Sequence, residues 1–172
     1  MEYELLIREA EPKDAAALVS FLNRVSVETD FTSLDRDGIL MTDTEMELFL
    51  DKQAHSENQI TLLALLNDKI AGIVNITADQ RKRVSHIGDL FIVIGKRYWN
   101  NGLGSFLLEE AIEWAQASCI LRRLQLTVQT RNQAAVHLYQ KHGFVIEGRQ
   151  ERGAYIEEGK FIDVYLMGKL ID

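Results

Sequence analysis

The sequence predicts a mixed α/β fold in which a mostly antiparallel central sheet is flanked by helices. One observation is the change of hydrophobic period, which is helical before residue 55 and strand-like from residue 60. Another is a pair of apolar runs joined by Asn67-Asp68, the spacing of an antiparallel hairpin. The predicted order is β, two helices, β-β-β, α, β, α, β-β, which indicates an α/β sandwich rather than a doubly wound sheet.

Length and composition are those of one globular domain covering residues 1–172, with 47% hydrophobic and 26% charged residues. The net charge of −7 argues against nucleic acid as a partner and is compatible with a cationic one. Cys119 is the only cysteine, which excludes an internal disulfide or a cysteine metal cluster. Neither a signal-peptide pattern nor a run of about 18 apolar residues occurs, so we expect a cytoplasmic protein without membrane contact.

The N-terminal part reads as a strand, two helices and an intervening loop. Residues 3–10 (YELLIREA) predict the first strand, and Pro12-Lys13-Asp14 opens a helix because proline costs no hydrogen bond in a first turn. Residues 26–43 lose the period, and a second helix is predicted over about 43–55. The stretch 26–43 carries five acidic residues, of which Glu28, Asp30, Asp35 and Asp37 lie before the second predicted helix.

The remaining elements follow at short intervals. Residues 85–95 predict a central strand covered on both faces, followed by a helix over about 102–117 and an alternating strand at 122–129. Thr130 with Gln133 is a capping-box pattern for the next helix, which should end at Gly143. Two long strands around the turn at residues 157–160 complete the chain. The last hairpin is apolar enough to join a neighbouring edge, so a homodimer is one expectation.

The stretch WNNGLGS, residues 99–105, joins the central strand to the next helix and has the character of a phosphate loop. It is not a Walker loop, because Ser105 stands where lysine is needed. It is not a dinucleotide fingerprint, because Leu107 occupies the third glycine position. Gly102 and Gly104 would still let a pyrophosphate approach the free N–H groups of the helix. The alternative is a tight turn that needs glycine for its geometry alone.

A second motif, NQAAVHLYQKHGF, occupies residues 132–144. Alone it describes an amphipathic helix; together with the glycine loop it resembles the GNAT superfamily of acyl-CoA N-acyltransferases. The pattern of the last hairpin, with Glu147-Gly148 and Asp163-Val164-Tyr165-Leu166-Met167, is similar to the ribosomal-protein N-terminal and spermidine acetyltransferase branch. The resemblance covers essentially the whole chain and implies the GNAT fold.

The resemblance implies acetyl-CoA as cosubstrate, without a metal. The residues it assigns to the pyrophosphate are Trp99, Asn100, Asn101, Gly102, Leu103, Gly104 and Ser105. Those it assigns to the pantetheine arm and thiol are Asn132 and Tyr139, and Ala135 and Lys141 of the same motif are further cofactor-binding candidates. It places the thioester against the backbone of Ile92, Val93 and Ile94. Trp99 departs from the family's usual Gln or Arg, but a loop that binds through backbone N–H groups should tolerate this exchange, with Lys96 and Arg97 close by to supply positive charge.

The chemistry requires a proton donor for the departing thiolate and an acceptor for the proton of the amine. Tyr139 aligns with the family's proton donor, and a phenol with a pKa of about 10 is protonated at working pH. For the base, Asp89 on the central strand, His86 and water all remain open. A lone carboxylate at Asp89 could also orient the substrate only.

The acceptor implied is a primary amine, either a polyamine-like molecule or a protein N-terminus, that attacks acetyl-CoA directly in a ternary complex. The acidic residues of the loop at 26–43 lie where the family places its acceptor wall, which favours a cationic amine. The alternative from another class is an acyl-CoA-binding module without turnover.

Overall fold

The computed structural model describes residues 4–172 and confirms the predicted order of elements. The predicted first strand began at Tyr3, which lies outside the described residues. Short 3-10 turns occur at Pro12–Asp14, directly before the first helix, and at Lys96–Tyr98, after the fourth strand. The elements are β1 (Leu5–Glu9), α1 (Ala15–Glu28), α2 (Asp43–Ala54), β2 (Ile60–Leu66), β3 (Lys69–Ala78), β4 (Ile87–Ile94), α3 (Leu103–Ala117), β5 (Arg123–Gln129), α4 (Gln133–Lys141), β6 (Val145–Ile156) and β7 (Lys160–Leu170).

The strands form one seven-stranded sheet in the order β1-β2-β3-β4-β5-β7-β6. Every neighbouring pair is antiparallel except β4 and β5, which are parallel. Asn67 and Asp68 both have positive φ, 50° and 67°, as a two-residue hairpin turn between β2 and β3 requires. The mixed, mostly antiparallel sheet flanked by helices is therefore confirmed.

The pairing of β4 and β5 is short, and this opens the sheet in its middle. β4 pairs with β3 over seven residues, from Gly88 to Ile94, but with β5 only over Ile87–Asp89. Beyond Asp89 and its partner Gln125 the two strands part. The sheet therefore has a gap between β4 and β5 that begins at Asp89.

Two hydrophobic cores cover the two faces of the sheet. On one face α1 and α2 pack against Leu63, Ile73 and Val93, with Phe21 and Leu50 almost fully buried. On the other face α3 and α4 pack against β3 to β5, with Leu107 and Tyr139 in the interior. Because side chains alternate along a strand, Phe91 and Val93 of β4 face α1 and α2, whereas Ile92 and Ile94 face α3 and α4.

The start of α4 differs from its prediction by two residues. Asn132, not Thr130, is the N-cap, and its side-chain oxygen accepts the Ala135 N–H at 3.3 Å. Asparagine is as good a cap as threonine, and the chain at residues 130–131 still belongs to the turn that leaves β5. Gly143 follows the helix with φ 91°, as predicted for a C′ glycine.

Within residues 4–172, none of the helices is both long enough and apolar enough to cross a membrane.

Candidate functional site

The gap between β4 and β5 exposes backbone groups that no strand satisfies. The Gly95 N–H donates to the Ala71 carbonyl at 2.8 Å, so the backbone hydrogen-bonding groups of Gly95 point toward β3. Backbone groups alternate in direction along a strand, and the β3–β4 register is unbroken. Val93 therefore also bonds β3, while the groups of Ile92 and Ile94 point toward the gap. This differs from the expectation for Val93, whose backbone is already occupied.

Trp99 closes one side of the gap. Its indole N–H donates to the Ile94 carbonyl at 2.8 Å, so the free groups that remain are the Ile94 N–H and both groups of Ile92. The Lys96 ammonium lies 5.9 Å from the centre of the Trp99 ring. Trp99, the residue that departs from the family pattern, is thus hydrogen-bonded to the backbone of β4.

A cluster of five residues spans the mouth of the gap, and we call it the mouth cluster. Phe31, from the loop after α1, stacks on Trp99 with ring centres 6.5 Å apart, and the Arg131 guanidinium lies 4.9 Å from the Phe31 ring. Asp30 forms an ion pair with Arg131 at 2.6 Å and accepts a hydrogen bond from Gln129 through its carbonyl. The cluster connects the segments after β4 and after β5 through the loop.

The start of α3 has free N–H donors without a cap. Gly102, with φ 78°, adopts the left-handed conformation before the helix, and no side chain caps it. The Phe106 N–H, bonded to Gly102, is the first to bond within the helix, so those of Leu103, Gly104 and Ser105 point outward. Donors arranged in this way suit a phosphate, and no acidic residue stands in the first turn.

The last turn of α4 lies beside the first turn of α3. A Cβ at Gly104 would come within 3.1 Å of the Leu138 side chain, so this glycine permits close packing of the two helices. His142 Nε2 lies 3.2 Å from Ser105 Oγ, and Lys141 is in the same turn of α4. The predicted residues from Trp99 to Ser105 and Lys141 are therefore brought to one corner. Asn100 (φ 65°) and Asn101, which donates to the Tyr98 and Trp99 carbonyls, shape this turn.

Tyr139 lies in the core on the α3 and α4 side, 8% exposed, against the Phe144 ring at 5.9 Å. Its hydroxyl has no hydrogen-bond partner among the described residues. Burial raises the pKa of the Tyr139 phenol above its ordinary value of 10, because the charged form loses its hydration. The phenol is therefore protonated throughout the physiological range. Ala135, also predicted for this side, is half-buried and packs against the same core.

Asp89 is exposed at the point where the strands part. The Gln125 side chain donates to the Asp89 carboxylate at 2.8 Å, and this contact joins β4 to β5 at their last residue pair. His86 precedes β4 at the paired end, about 10 Å along the chain from Asp89 at the usual rise of a strand. The geometry thus separates the two candidate bases, with Asp89 at the gap and His86 away from it.

A cavity of about 240 Å³ lies on the α1 and α2 side of the sheet, and Asp89 is not part of its lining. Phe91, two residues from Asp89 on the same face of β4, forms part of its wall. The lining is uncharged; it consists of nine apolar residues and of Ser33, Thr61 and Asn75. The apolar residues are Leu18, Leu22, Leu34, Ile39, Met41, Met46, Phe49, Ile73 and Phe91.

A buried polar chain supports the wall of this cavity. The Thr61 hydroxyl donates to Gln53 Oε1 and accepts from Asn75 Nδ2 at 2.7 Å. Gln53, on α2, is 3% exposed, and its amide nitrogen has no partner among the described residues. A buried unpaired donor costs about 1–3 kcal/mol of folding free energy. This hydrogen-bonded chain of Gln53, Thr61 and Asn75 is therefore costly for a purely structural feature.

The acidic loop does not provide an acidic wall to the cavity. Asp30 is paired with Arg131, and Glu28 accepts the Lys96 backbone N–H at 2.8 Å. Asp35 and Asp37 are exposed and are not part of the lining. The cationic acceptor therefore stays a prediction that this cavity does not support. Within residues 4–172, no cluster of three or more His, Cys, Asp or Glu side chains is arranged to hold a metal ion.

Sequence reasoning missed Gln125, Asn75 and, within the mouth cluster, Phe31, Gln129 and Arg131. Asn75 interrupts an apolar strand, which was an available signal, whereas Gln125 occupies an ordinary polar position of an alternating strand and gave none. Phe31 and Arg131 gave none, because their pairing depends on how the loop folds over the gap.

Comparisons with known proteins identify the family to which the chain belongs. The model of the acetyltransferase (GNAT) family matches residues 27–144, more than half of the chain. The crystal structure of a GNAT-family acetyltransferase from Streptococcus pneumoniae is 90% identical, with a TM-score of 0.97, covering 98% of this chain and 100% of that one.

Two further relatives differ in their named acceptors. The L-amino acid N-acetyltransferase AaaT of Escherichia coli K12 is 29% identical over 97% of this chain and 98% of its own. A GNAT phosphinothricin acetyltransferase from Sinorhizobium meliloti, solved with acetyl-CoA, has a TM-score of 0.82 at 18% identity, covering 99% of this chain and 89% of that one. The latter shows likeness of fold alone.

Proposed function

Because the chain belongs to the GNAT acetyltransferase family and is an acetyl-CoA-dependent N-acetyltransferase, we propose that it acetylates a small primary amine by direct attack in a ternary complex. The observation that carries the proposal is the gap between β4 and β5. It offers the free backbone groups of Ile92 and Ile94, with Tyr139 on one face of the sheet and Asp89 and the cavity on the other.

The cosubstrate would lie along one face and reach through the gap. The N–H groups of Leu103, Gly104 and Ser105 bind the pyrophosphate, with Lys96, Arg97 and Lys141 as nearby cations. Asn132 uses its oxygen to cap α4, which leaves its amide nitrogen as the group available to the pantetheine arm. The backbone of Ile92 and Ile94 bonds the thioester end.

The reaction needs three groups at the gap. The amine nitrogen bonds to the thioester carbonyl carbon, the C–S bond breaks, and N–H donors of β4 stabilise the oxygen that gains negative charge. Asp89 receives the amine proton directly or through water, held by Gln125. Tyr139 donates its hydroxyl proton to the departing thiolate.

The size of the cavity supports a small acceptor, since 240 Å³ is below the roughly 300–1,000 Å³ of ordinary ligand pockets. The name of the E. coli relative supports the amino group of an amino acid. A protein N-terminus, expected from the branch resemblance, would present the same group. A polyamine fits less well, because the cavity lining carries no charge.

Release of CoA thiol from acetyl-CoA, measured across amino acids, N-terminal peptides and polyamines, tests the proposal. We expect turnover with at least one small amine and loss of most of it in Asp89→Asn. Tight CoA binding without turnover on any amine would instead identify a non-catalytic acyl-CoA-binding module. Glu109→Gln, a change of an exposed carboxylate on α3, is the matched control and should behave as wild type.

A further inference from the structure

We infer that the cavity lined by Phe91 and Asn75 selects acceptors by an uncharged apolar group, and that Asn75 positions the acceptor amine. The inference deepens the proposed function and rests on it for where the amine reacts. Its foundation is the lining, in which nine apolar side chains surround three uncharged polar ones.

The lining discriminates by charge because a buried ammonium needs a partner. Unpaired charges are strongly disfavoured in apolar surroundings, whereas an alkyl or aromatic group gains by leaving water. Asp35 and Asp37 are close to lining residues in sequence, but both are exposed and lie outside the lining. Asp30 is paired with Arg131, and Glu28 accepts the Lys96 backbone N–H. A second ammonium on the acceptor would thus enter the cavity without a counter-ion.

Asn75 is placed to hold the reacting amine. It lies opposite Phe91 in the β3–β4 pairing, and Asp89 lies opposite Thr77, so Asn75 and Asp89 are diagonal neighbours on one face. Diagonal neighbours are about 7–8 Å apart, which leaves room for one nitrogen bonded to both side chains. The Asn75 oxygen would accept one N–H of the amine, and Asp89 another.

The buried chain behind Asn75 fixes which end of its amide is free. Thr61 has a single hydroxyl hydrogen, which goes to Gln53, so Thr61 can only accept from Asn75. Asn75 therefore donates through Nδ2 to Thr61 and keeps Oδ1 as an acceptor. The expensive burial of Gln53 is explained if its role is to set this orientation.

Pentylamine and 1,4-diaminobutane test the charge selection, because they match in length and differ only in a methyl group replaced by an ammonium. Calorimetry on the CoA-bound protein measures their binding without requiring turnover. We expect pentylamine to bind at least about tenfold more tightly, about 1.4 kcal/mol. Met41→Glu, which places a carboxylate in the lining, should reverse the preference. Equal binding, tighter binding of the diamine or no binding of either amine would overturn the inference. Selective binding without turnover would leave it standing and refute the proposed function.

The role of Asn75 is tested by kinetics with the best acceptor. Asn75→Leu should raise the KM for the amine about tenfold and leave the KM for acetyl-CoA unchanged. Thr61→Val should act in the same direction and Thr61→Ser should restore the wild-type value, since only the hydroxyl matters. An unchanged KM for the amine in a folded Asn75→Leu, or equal effects of Thr61→Val and Thr61→Ser, would overturn it. Thr44→Val, exposed on α2, is the control.

Discussion

At the scale of single residues, Tyr139 combines burial with a free hydroxyl. Its raised pKa keeps the proton on the phenol, and its side chain is 8% exposed. If Tyr139 serves packing alone, the enzyme should lose little activity when the hydroxyl is removed. If Tyr139 is a proton donor, removal of its hydroxyl should lower the turnover of the enzyme.

We predict that Tyr139→Phe lowers kcat about 100-fold while the KM for acetyl-CoA stays similar, because a general acid contributes about 10²–10⁴-fold. Steady-state kinetics with varied acetyl-CoA measure both quantities. Tyr155→Phe, which removes the same hydroxyl from an exposed position on β6, should be silent. An unchanged kcat in Tyr139→Phe would remove this residue from the mechanism.

At the scale of elements, the start of α3 depends on a backbone conformation rather than on side chains. A Cβ at Gly102 would meet only the Phe106 ring, at 3.9 Å, so space does not require glycine there. Glycine is required at residue 102 by its positive φ. The open surface beside it is where the proposed pyrophosphate would approach.

Gly102→Ala should therefore cost about 1–2 kcal/mol of stability through strain and also raise the KM for acetyl-CoA severalfold. Gly159→Ala is a close control, because Gly159 has φ 73° with nothing within 4 Å and lies in the β6–β7 turn. It should lose comparable stability in urea denaturation with an unchanged KM. If both variants show the same unchanged KM, the turn serves geometry alone.

The elements were predictable because their signals are local. Periodicity, Asn67-Asp68 and Gly143 each act within a few residues, and the structure agrees with all three. The α4 cap was misplaced because Thr130 and Asn132 are both good caps, and only the path of the chain out of β5 decides between them. The three-residue β4–β5 pairing, the contact of Asp89 with Gln125 and the uncharged cavity arise from tertiary packing, which no local pattern encodes.

At the scale of the whole molecule, β4 is bonded fully on one side and partly on the other. The Val93 amide bonds β3, whereas the Ile92 and Ile94 amides face the gap. We predict that in the free protein the amide hydrogens of Ile92 and Ile94 exchange faster than that of Val93, and that acetyl-CoA slows them. Nuclear magnetic resonance of exchanging amides measures this directly. At about 100 times its Kd, the cosubstrate should also stabilise the fold by about 2.7 kcal/mol. Equal exchange with and without acetyl-CoA would show that it does not bond β4.

The gap between β4 and β5 also affects how the protein avoids aggregation. Past Asp89, β4 and β5 each present an unpaired edge inside the sheet, and an unpaired edge is a template for a foreign strand and for aggregation. Helices cover both faces of these edges. At the end beyond Ile94, Phe31 stacks on Trp99 and Asp30 is paired with Arg131. The mouth cluster would thus protect the unpaired edges of β4 and β5 from pairing with a strand of another molecule.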